Sequence, residues 1–338
     1  MSFPKLLAII TVLLFGSIAI AALFKKKDES DPLAETEIVL AAIEADVDDG
    51  GNSGAKTTDL PSESEFTLVT EVVEETAYAA KPVPEADRID EFFNTRGAKF
   101  PVVETITYKK KVPWLKGRAA WIADYASHYK TSRHFIARSL NGKPLYDKQD
   151  VADGDRFNVF KEDKNLSFYL LVDLQRSKLW FYYIDEDTNE RVLVKTYAVG
   201  LGRPEKDYES GSLTPLGKYS LGEKVAVYRP KTMGFYQGDK IEMIRVFGTR
   251  WIPFDEEIDQ CTAPAKGYGI HGLPLAPNSR GEFVENSETI GRYESDGCIR
   301  LATKDMEELF SVIITKPAVI EIVQDFHSAK LPGRETKS

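Results

Sequence analysis

The stretch SDGCIRL, residues 295–301, decides how this chain is interpreted. A glycine before a cysteine lets the backbone turn sharply and offers amide N–H groups to an oxyanion. Arg300 is placed to favour a thiolate at Cys298 or to hold a substrate carboxylate. A nucleophilic cysteine needs a base, and His271 is the only histidine between residues 135 and 326. Without further context, however, a lone cysteine is more often buried and inert.

The sequence around this stretch has mainly β character. Aromatic and β-branched runs, separated by short polar turns, predict strands over residues 168–174, 178–183, 191–199 and 318–323. One helix stands out, because apolar residues recur at helical spacing at Met306, Leu309, Phe310 and Ile313. We therefore expect a mainly β domain with one packed helix at residues 164–325, followed by a tail at 326–338.

Four segments of this domain occur in an informative order. They are TPLGKY at 214–219, IHG at 270–272, IGR at 290–292 and SDGCIRL at 295–301. Together they resemble the L,D-transpeptidase (YkuD-like) catalytic domain, whose signature is a His-Gly followed by Ser-His-Gly-Cys-Ile/Val-Arg. The resemblance covers about residues 166–323 and implies a YkuD-like β-sandwich.

The resemblance also implies an activity and a set of site residues. The family acts on peptidoglycan stem tetrapeptides without a metal or organic cofactor, so Cys298 would be the nucleophile and His271 the general base. The implied orienting or oxyanion residues are Gly272, Gly297, Asp296 and Ser295, and the implied substrate-binding residues are Arg300 and Tyr268.

The chain departs from the family pattern in two places. Asp296 stands where the family has histidine, and the spacing of 27 residues from His271 to Cys298 is about nine residues longer than usual. The additional residues, about 276–287, predict a surface loop. The charge of Asp296 should raise the pKa of the Cys298 thiol, or it could instead stabilise a protonated His271.

Cys261, the second cysteine of the chain, has two interpretations. In an oxidising compartment it could form a disulfide with Cys298, which would block the nucleophile. We favour a free thiol in or near the site.

The residues before the β domain predict a small α+β domain at 101–163. The order is strand, helix, helix, strand, with the two helices carrying His128 and His134, which we expect at the surface. The order and the Gly-Asp turn at 154–155 resemble a divergent LysM domain, which implies binding to the glycan of peptidoglycan. A generic two-helix spacer remains an alternative.

The N-terminal region predicts a membrane element and a tether. Residues 6–24 carry no charge and nearly match the thickness of a bilayer, so we expect residues 1–27 to be a transmembrane anchor rather than a cleaved signal or a buried core helix. Residues 28–80 contain fifteen acidic residues and one basic residue, and they begin an acidic disordered linker predicted over 28–100. The lysines at 25–27 favour a cytoplasmic main chain by the positive-inside rule, whereas the chemistry requires the extracytoplasmic side of a bacterial inner membrane.

Composition excludes several classes of protein. A net charge of −9 argues against nucleic acid as a partner. Two cysteines and four histidines leave little room for a disulfide scaffold or a zinc cluster.

The leading hypothesis is a membrane-anchored peptidoglycan L,D-transpeptidase that forms 3-3 cross-links. An L,D-carboxypeptidase of the same fold and a non-catalytic peptidoglycan-binding protein are the alternatives.

Overall fold

The computed structural model describes residues 81–141 and 151–336. The predicted anchor at residues 1–27 and the acidic residues 28–80 lie outside this part of the chain. Within the described ranges, no helix is long and apolar enough to cross a bilayer.

The described chain is mainly β, as predicted. Its strands are β1 (Val103–Thr107), β2 (Arg156–Phe160), β3 (Leu166–Asp173), β4 (Lys178–Asp185), β5 (Glu190–Ala198), β6 (Leu201–Gly202), β7 (Gly217–Leu221), β8 (Ala226–Val227), β9 (Met233–Tyr236), β10 (Asp239–Glu242), β11 (Arg250–Asp259), β12 (Gly269–Gly272), β13 (Leu275–Pro277), β14 (Phe283–Glu285), β15 (Tyr293–Ser295), β16 (Ile299–Leu301), β17 (Ala318–Val323) and β18 (Arg334–Glu335). Its α-helices are α1 (Ile122–His128), α2 (Arg133–Asn141), α3 (Ile244–Phe247) and α4 (Thr303–Ile313). Short 3₁₀ turns span Ile89–Phe92, Ser287–Thr289 and Phe326–Ser328.

One curled sheet replaces the two separate sheets that a sandwich would have. Its strands follow the order β16-β12-β11-β7-β17-β3-β4-β5-β18, and β8 also pairs with β11. The first half of β11 pairs with β12 through Trp251 to Pro253, and its second half pairs with β7 from Phe254 onward with two register shifts. Because register irregularities bend a strand, β11 carries the sheet around a corner without breaking the hydrogen-bonded path.

Strands β3 and β4 are buried on both faces, which explains their continuous apolar sequence. One face joins the main core, where the predicted stripe of α4 packs through Met306, Leu309 and Phe310. The other face forms a second cluster around Trp180. Other segments of the protein must pack on this second face to keep its apolar side chains out of water.

Part of that cover comes from residues 326–336, which lie in the segment predicted as a C-terminal tail. The ring of Phe326 lies 4.6 Å from that of Trp180. Strand β18 then pairs in parallel with β5. The segment is ordered because it shields apolar side chains that would otherwise face water.

The last twenty residues of the predicted disordered linker are structured. Residues 81–100 pack against the sheet, where the Thr196 N–H donates to the Ala86 carbonyl at 2.9 Å. Phe92 is fully buried in an aromatic cluster, with its ring 4.7 Å from Phe100 and 6.0 Å from Tyr183. The acidic composition of residues 28–80 does not extend to this segment, whose phenylalanines enter the core.

The region between the linker and the sheet has the predicted order of strand, helix, helix, strand, as β1, α1, α2 and β2. Strands β1 and β2 pair antiparallel. Helix α2 packs against α4, and there the His134 ring lies 4.9 Å from Phe310. His134 is thus half-buried rather than at the surface, whereas His128 is exposed and stacks on Trp114 at 4.2 Å. Since Phe135 and Phe160 lie in the main core, this region shares that core with the sheet.

A candidate active site at the end of two parallel strands

The sheet brings the sequence-predicted cysteine and histidine to one place. Strands β12 and β16 are parallel neighbours, with Ile270 opposite Ile299 and His271 opposite Arg300. Cys298 precedes β16 by one residue, so the same register places it beside Gly269. Because side chains alternate between faces along a strand, Cys298, Arg300 and His271 project from the same face.

His271 is held in one tautomer by its neighbour. Its Nδ1 lies 2.7 Å from the carbonyl oxygen of Gly272, which can only accept, so Nδ1 carries the hydrogen and donates it. The lone pair therefore resides on Nε2, the nitrogen that can accept a proton. The ring is 2% exposed and lies 5.3 Å from the ring of Phe247 and 5.8 Å from that of Trp251.

Burial controls the charge of this imidazole. Burial is the main reason that the pKa of His271 falls to about 3; the positive charge of Arg300 contributes to the fall, and the hydrogen bond to Gly272 opposes it. His271 is consequently neutral at physiological pH and available as a base.

The Cys298 thiol is partly exposed and packs beside the same aromatic cluster, which includes Phe247 and Trp251. Burial raises its pKa to about 11, and the charge of Asp296 adds to this increase. A backbone hydrogen bond from Gly269 and the charge of Arg300 lower the pKa but do not offset burial. Both members of the pair are thus uncharged at neutral pH.

The turn before Cys298 is fixed by a buried serine. The Ser295 hydroxyl donates to the Cys298 carbonyl at 2.6 Å and accepts from the Gly297 N–H at 3.1 Å. The Gly297 amide, which belongs to an implied orienting or oxyanion residue, thus donates to the Ser295 hydroxyl. Gly297 has a φ of +113°, and a Cβ there would lie 2.6 Å from the Leu213 oxygen, so glycine is required.

Thr214 supports this turn and was not singled out from sequence as a site residue. Its fully buried hydroxyl donates to the Gly297 carbonyl at 3.0 Å and accepts from the Gly202 N–H at 2.7 Å. The Ser212 hydroxyl in turn donates to the Gly202 carbonyl at 2.8 Å. The TPLG motif identified this segment as part of the family pattern. The two groups that bond to the Thr214 hydroxyl are 12 and 83 residues away, so the sequence did not predict these hydrogen bonds.

Asp296 lies at the surface rather than against the histidine ring. Its Oδ1 accepts from the Arg203 guanidinium at 2.6 Å, and the Tyr236 hydroxyl donates to its Oδ2 at 3.4 Å. The residue that differs from the family pattern is therefore part of a polar rim next to Cys298. Arg203 and Tyr236 were not predicted from sequence, because they come from distant segments.

The two predicted substrate-binding residues both lie near the thiol. The backbone of Arg300 pairs with Gly200 through two hydrogen bonds of 2.8 and 2.9 Å, which fixes the start of its side chain. The ring of Tyr268 lies against Gly297, since its Cε1 would be 2.6 Å from a Cβ at that glycine. Burial raises the pKa of Tyr268, and the neighbouring Tyr208 and Cys298 add to the effect.

Cys261 and Cys298 are both free thiols. The Cys261 thiol donates to the Lys218 carbonyl at 3.0 Å, between β11 and β7.

The predicted surface loop is a hairpin of β13 and β14. Glu285, at the end of this hairpin, accepts at 2.7 Å from the backbone N–H of Thr303, which is the first residue of α4. Among the described residues, no group of three or more His, Cys, Asp or Glu could hold a metal ion.

Comparison with known proteins assigns this domain to a family. Residues 167–322 match the family described as YkuD, the L,D-transpeptidase catalytic domain. YqjB of Bacillus subtilis (strain 168), provisionally named an L,D-transpeptidase, is 26% identical over 141 residues, which are 39% of this chain and 65% of YqjB. The chain thus spans just under two thirds of that relative.

Two solved structures are also similar over part of their length. The helical cell shape determining protein Pgp2 from Campylobacter jejuni is 18% identical, with a TM-score of 0.32 and coverage of 50% of this chain and 51% of Pgp2. Bd1075 from Bdellovibrio bacteriovorus is 16% identical, with a TM-score of 0.30 and coverage of 47% and 48%.

Proposed function

We propose that this protein is a peptidoglycan L,D-transpeptidase in which Cys298 is the nucleophile and His271 the general base. The observation that carries the proposal is the arrangement of these two residues. They project from one face of adjacent parallel strands, and the imidazole is fixed by Gly272 with its basic nitrogen available. The match of residues 167–322 to the YkuD family supports the same chemistry.

The reaction begins on the carbonyl of the third residue of a stem tetrapeptide, a diamino acid. Nε2 of His271 takes the thiol proton as the sulfur of Cys298 attacks, and the protonated imidazole then gives that proton to the departing D-alanine amine. A thioester remains on the sulfur. A side-chain amine of a second stem attacks it, the C–S bond breaks, and a 3-3 cross-link forms.

The uncharged state of the pair determines the order of events. With the thiol pKa near 11 and the imidazole pKa near 3, a preformed thiolate–imidazolium pair is scarce in the free protein. Proton transfer must therefore accompany attack on the carbonyl. The amide of Cys298 remains the proposed oxyanion donor, because that of Gly297 is bonded to Ser295.

The remaining parts of the chain suit a protein of the cell envelope. We propose that residues 6–24 anchor it in the inner membrane, with the YkuD domain on the periplasmic side. We also propose that the region from β1 to β2 binds the glycan of peptidoglycan. The support is the uncharged length of the first segment and the strand, helix, helix, strand order of the second.

The test uses the full chain in detergent with purified disaccharide-tetrapeptide, analysed by mass spectrometry. We expect a thioester on Cys298, release of D-alanine and a cross-linked dimer. Cys298→Ala should abolish all three, whereas the matched variant Cys261→Ala should retain them. Release of D-alanine with a tripeptide and no dimer would identify an L,D-carboxypeptidase. Retention on insoluble peptidoglycan without a thioester or D-alanine would identify a binding protein, and the enzymatic proposal would be refuted.

A further inference from the structure

The rim beside the thiol contains an ion pair that the backbone positions. Strands β6 and β15 pair in parallel, with Gly202 opposite Ser295, and the next residues along each strand are Arg203 and Asp296. The Arg203 N–H donates to the Ser295 carbonyl at 2.9 Å, and the Arg203 carbonyl accepts from the Leu213 N–H at 2.9 Å. The two charged side chains thus begin side by side, and their contact at 2.6 Å follows from the sheet register.

Both charges are open to a ligand. The side chains of Arg203 and Asp296 are 59% and 52% exposed. An ion pair this exposed is weak, so a ligand can replace the internal contact with two of its own at little cost. Tyr236 borders the pair through its hydroxyl at 3.4 Å.

The pair lies next to the reacting sulfur. Asp296 is two residues before Cys298, and its charge acts on the thiol, while Tyr236 interacts with both Asp296 and Cys298. Any group held between the two charges would lie beside a thioester formed on Cys298. A negative and a positive group at adjacent positions are complementary to an ammonium and a carboxylate on one carbon atom.

We propose that Asp296 and Arg203 bind the zwitterionic α-amino-acid group of the amine acceptor, with the ammonium on Asp296 and the carboxylate on Arg203. This inference rests on the proposed function and adds two residues that select the acceptor. It also gives a role to the aspartate that stands where the family has histidine.

The step balances without a further reactant. The bound ammonium releases one proton to water, and the neutral amine attacks the thioester carbonyl, so that a C–N bond forms and the C–S bond breaks. His271 takes the second amine proton and gives it to the departing sulfur, which restores the thiol. Because Asp296 and Arg203 hold the acceptor and take no proton, their loss should raise the acceptor KM more than it lowers kcat.

The experiment separates the two half-reactions of the full chain. The acyl-enzyme is formed with disaccharide-tetrapeptide, and two acceptors are then compared: isotopically labelled D-alanine, which returns a tetrapeptide heavier than the donor, and D-alaninamide, which lacks the carboxylate. Arg203→Gln should lower kcat/KM for D-alanine about fivefold, the size of an exposed ion pair, and leave that for D-alaninamide unchanged. Asp296→Asn should lower both, and Arg203→Lys should restore most of the D-alanine rate.

The control exchanges another exposed ion pair at β15, between Arg292, just before the strand, and Glu294 within it; the two side chains are 3.9 Å apart and 61% and 47% exposed. The variant R292E/E294R should keep the acceptor preference. An equal loss for both acceptors in Arg203→Gln, or a loss confined to thioester formation, would overturn the inference. If the wild type forms no thioester at all, the proposed function fails instead, and the two failures are distinguishable.

Discussion

The state of the Cys298 thiol can be tested by alkylation with iodoacetamide across a range of pH. Burial raises its pKa to about 11, so at pH 7 about one thiol in ten thousand is ionised. An ordinary cysteine with a pKa near 8.5 is about 3% ionised, roughly 300 times more. A thiolate of higher pKa is intrinsically more nucleophilic by about 10- to 20-fold here, so alkylation should be about 20 to 30 times slower than for a cysteine peptide.

The slope of the pH profile is the sharper measurement. Because the thiol stays mostly protonated up to about pH 10, the alkylation rate should rise about tenfold per pH unit from pH 6 to pH 10. A thiolate already paired with a protonated His271 would instead react at a constant rate from low pH. Peptide mapping by mass spectrometry assigns the label to Cys298 or Cys261 in the same sample.

Arg300 provides an internal check. Its positive charge lowers the pKa of Cys298, so Arg300→Gln should raise that pKa and slow alkylation at any fixed pH. An alkylation rate independent of pH between 6 and 9 would refute the conclusion that Cys298 and His271 are both uncharged. Faster alkylation of Arg300→Gln would refute the conclusion that Arg300 lowers the thiol pKa.

Two further changes test the support of the site and the fold. Thr214→Val removes the hydroxyl that joins Gly202 to Gly297, so it should lower the free energy of unfolding in urea by about 1–3 kcal/mol and abolish thioester formation. The control Thr214→Ser should behave as wild type. Wild-type stability and thioester formation in Thr214→Val would show that the buried hydroxyl is dispensable. Phe92→Ala should cost about 3–5 kcal/mol because the ring is fully buried, while Phe235→Ala, 60% exposed, should change the urea midpoint little; equal midpoints would contradict the packing of residues 81–100 on the sheet.

The contact between α2 and α4 connects the region before the sheet to the YkuD domain. Glu308 of α4 is 5% exposed, and its carboxylate binds Lys195 at 2.6 Å and accepts from the Tyr197 hydroxyl at 3.2 Å. Arg138 of α2 reaches the same carboxylate at 3.8 Å. A buried carboxylate needs such partners, so α2 supplies part of the charge that lets Glu308 remain in the interior.

Local sequence was sufficient for the features that depend on neighbouring residues. The aromatic and β-branched runs predicted β3, β4 and the strand at 318–323, and the spacing of apolar residues predicted α4, because these signals depend only on residues close together in the chain. The prediction that His271 serves Cys298 as a base followed from the scarcity of histidine and from the family motif. The hydrogen bond from His271 to the adjacent Gly272 carbonyl was likewise within local reach.

Only the tertiary structure decided the features that join distant segments. No local sequence pattern predicts three of these features. They are the Thr214 hydroxyl bridging groups 12 and 83 residues away, the ion pair of Asp296 with Arg203, and the packing of residues 81–100 and 326–336 on the sheet. Sequence determined which side chains could be buried or reactive. The curled sheet determined which of them share a solvent-excluded neighbourhood, and that neighbourhood fixes their charge and their partners.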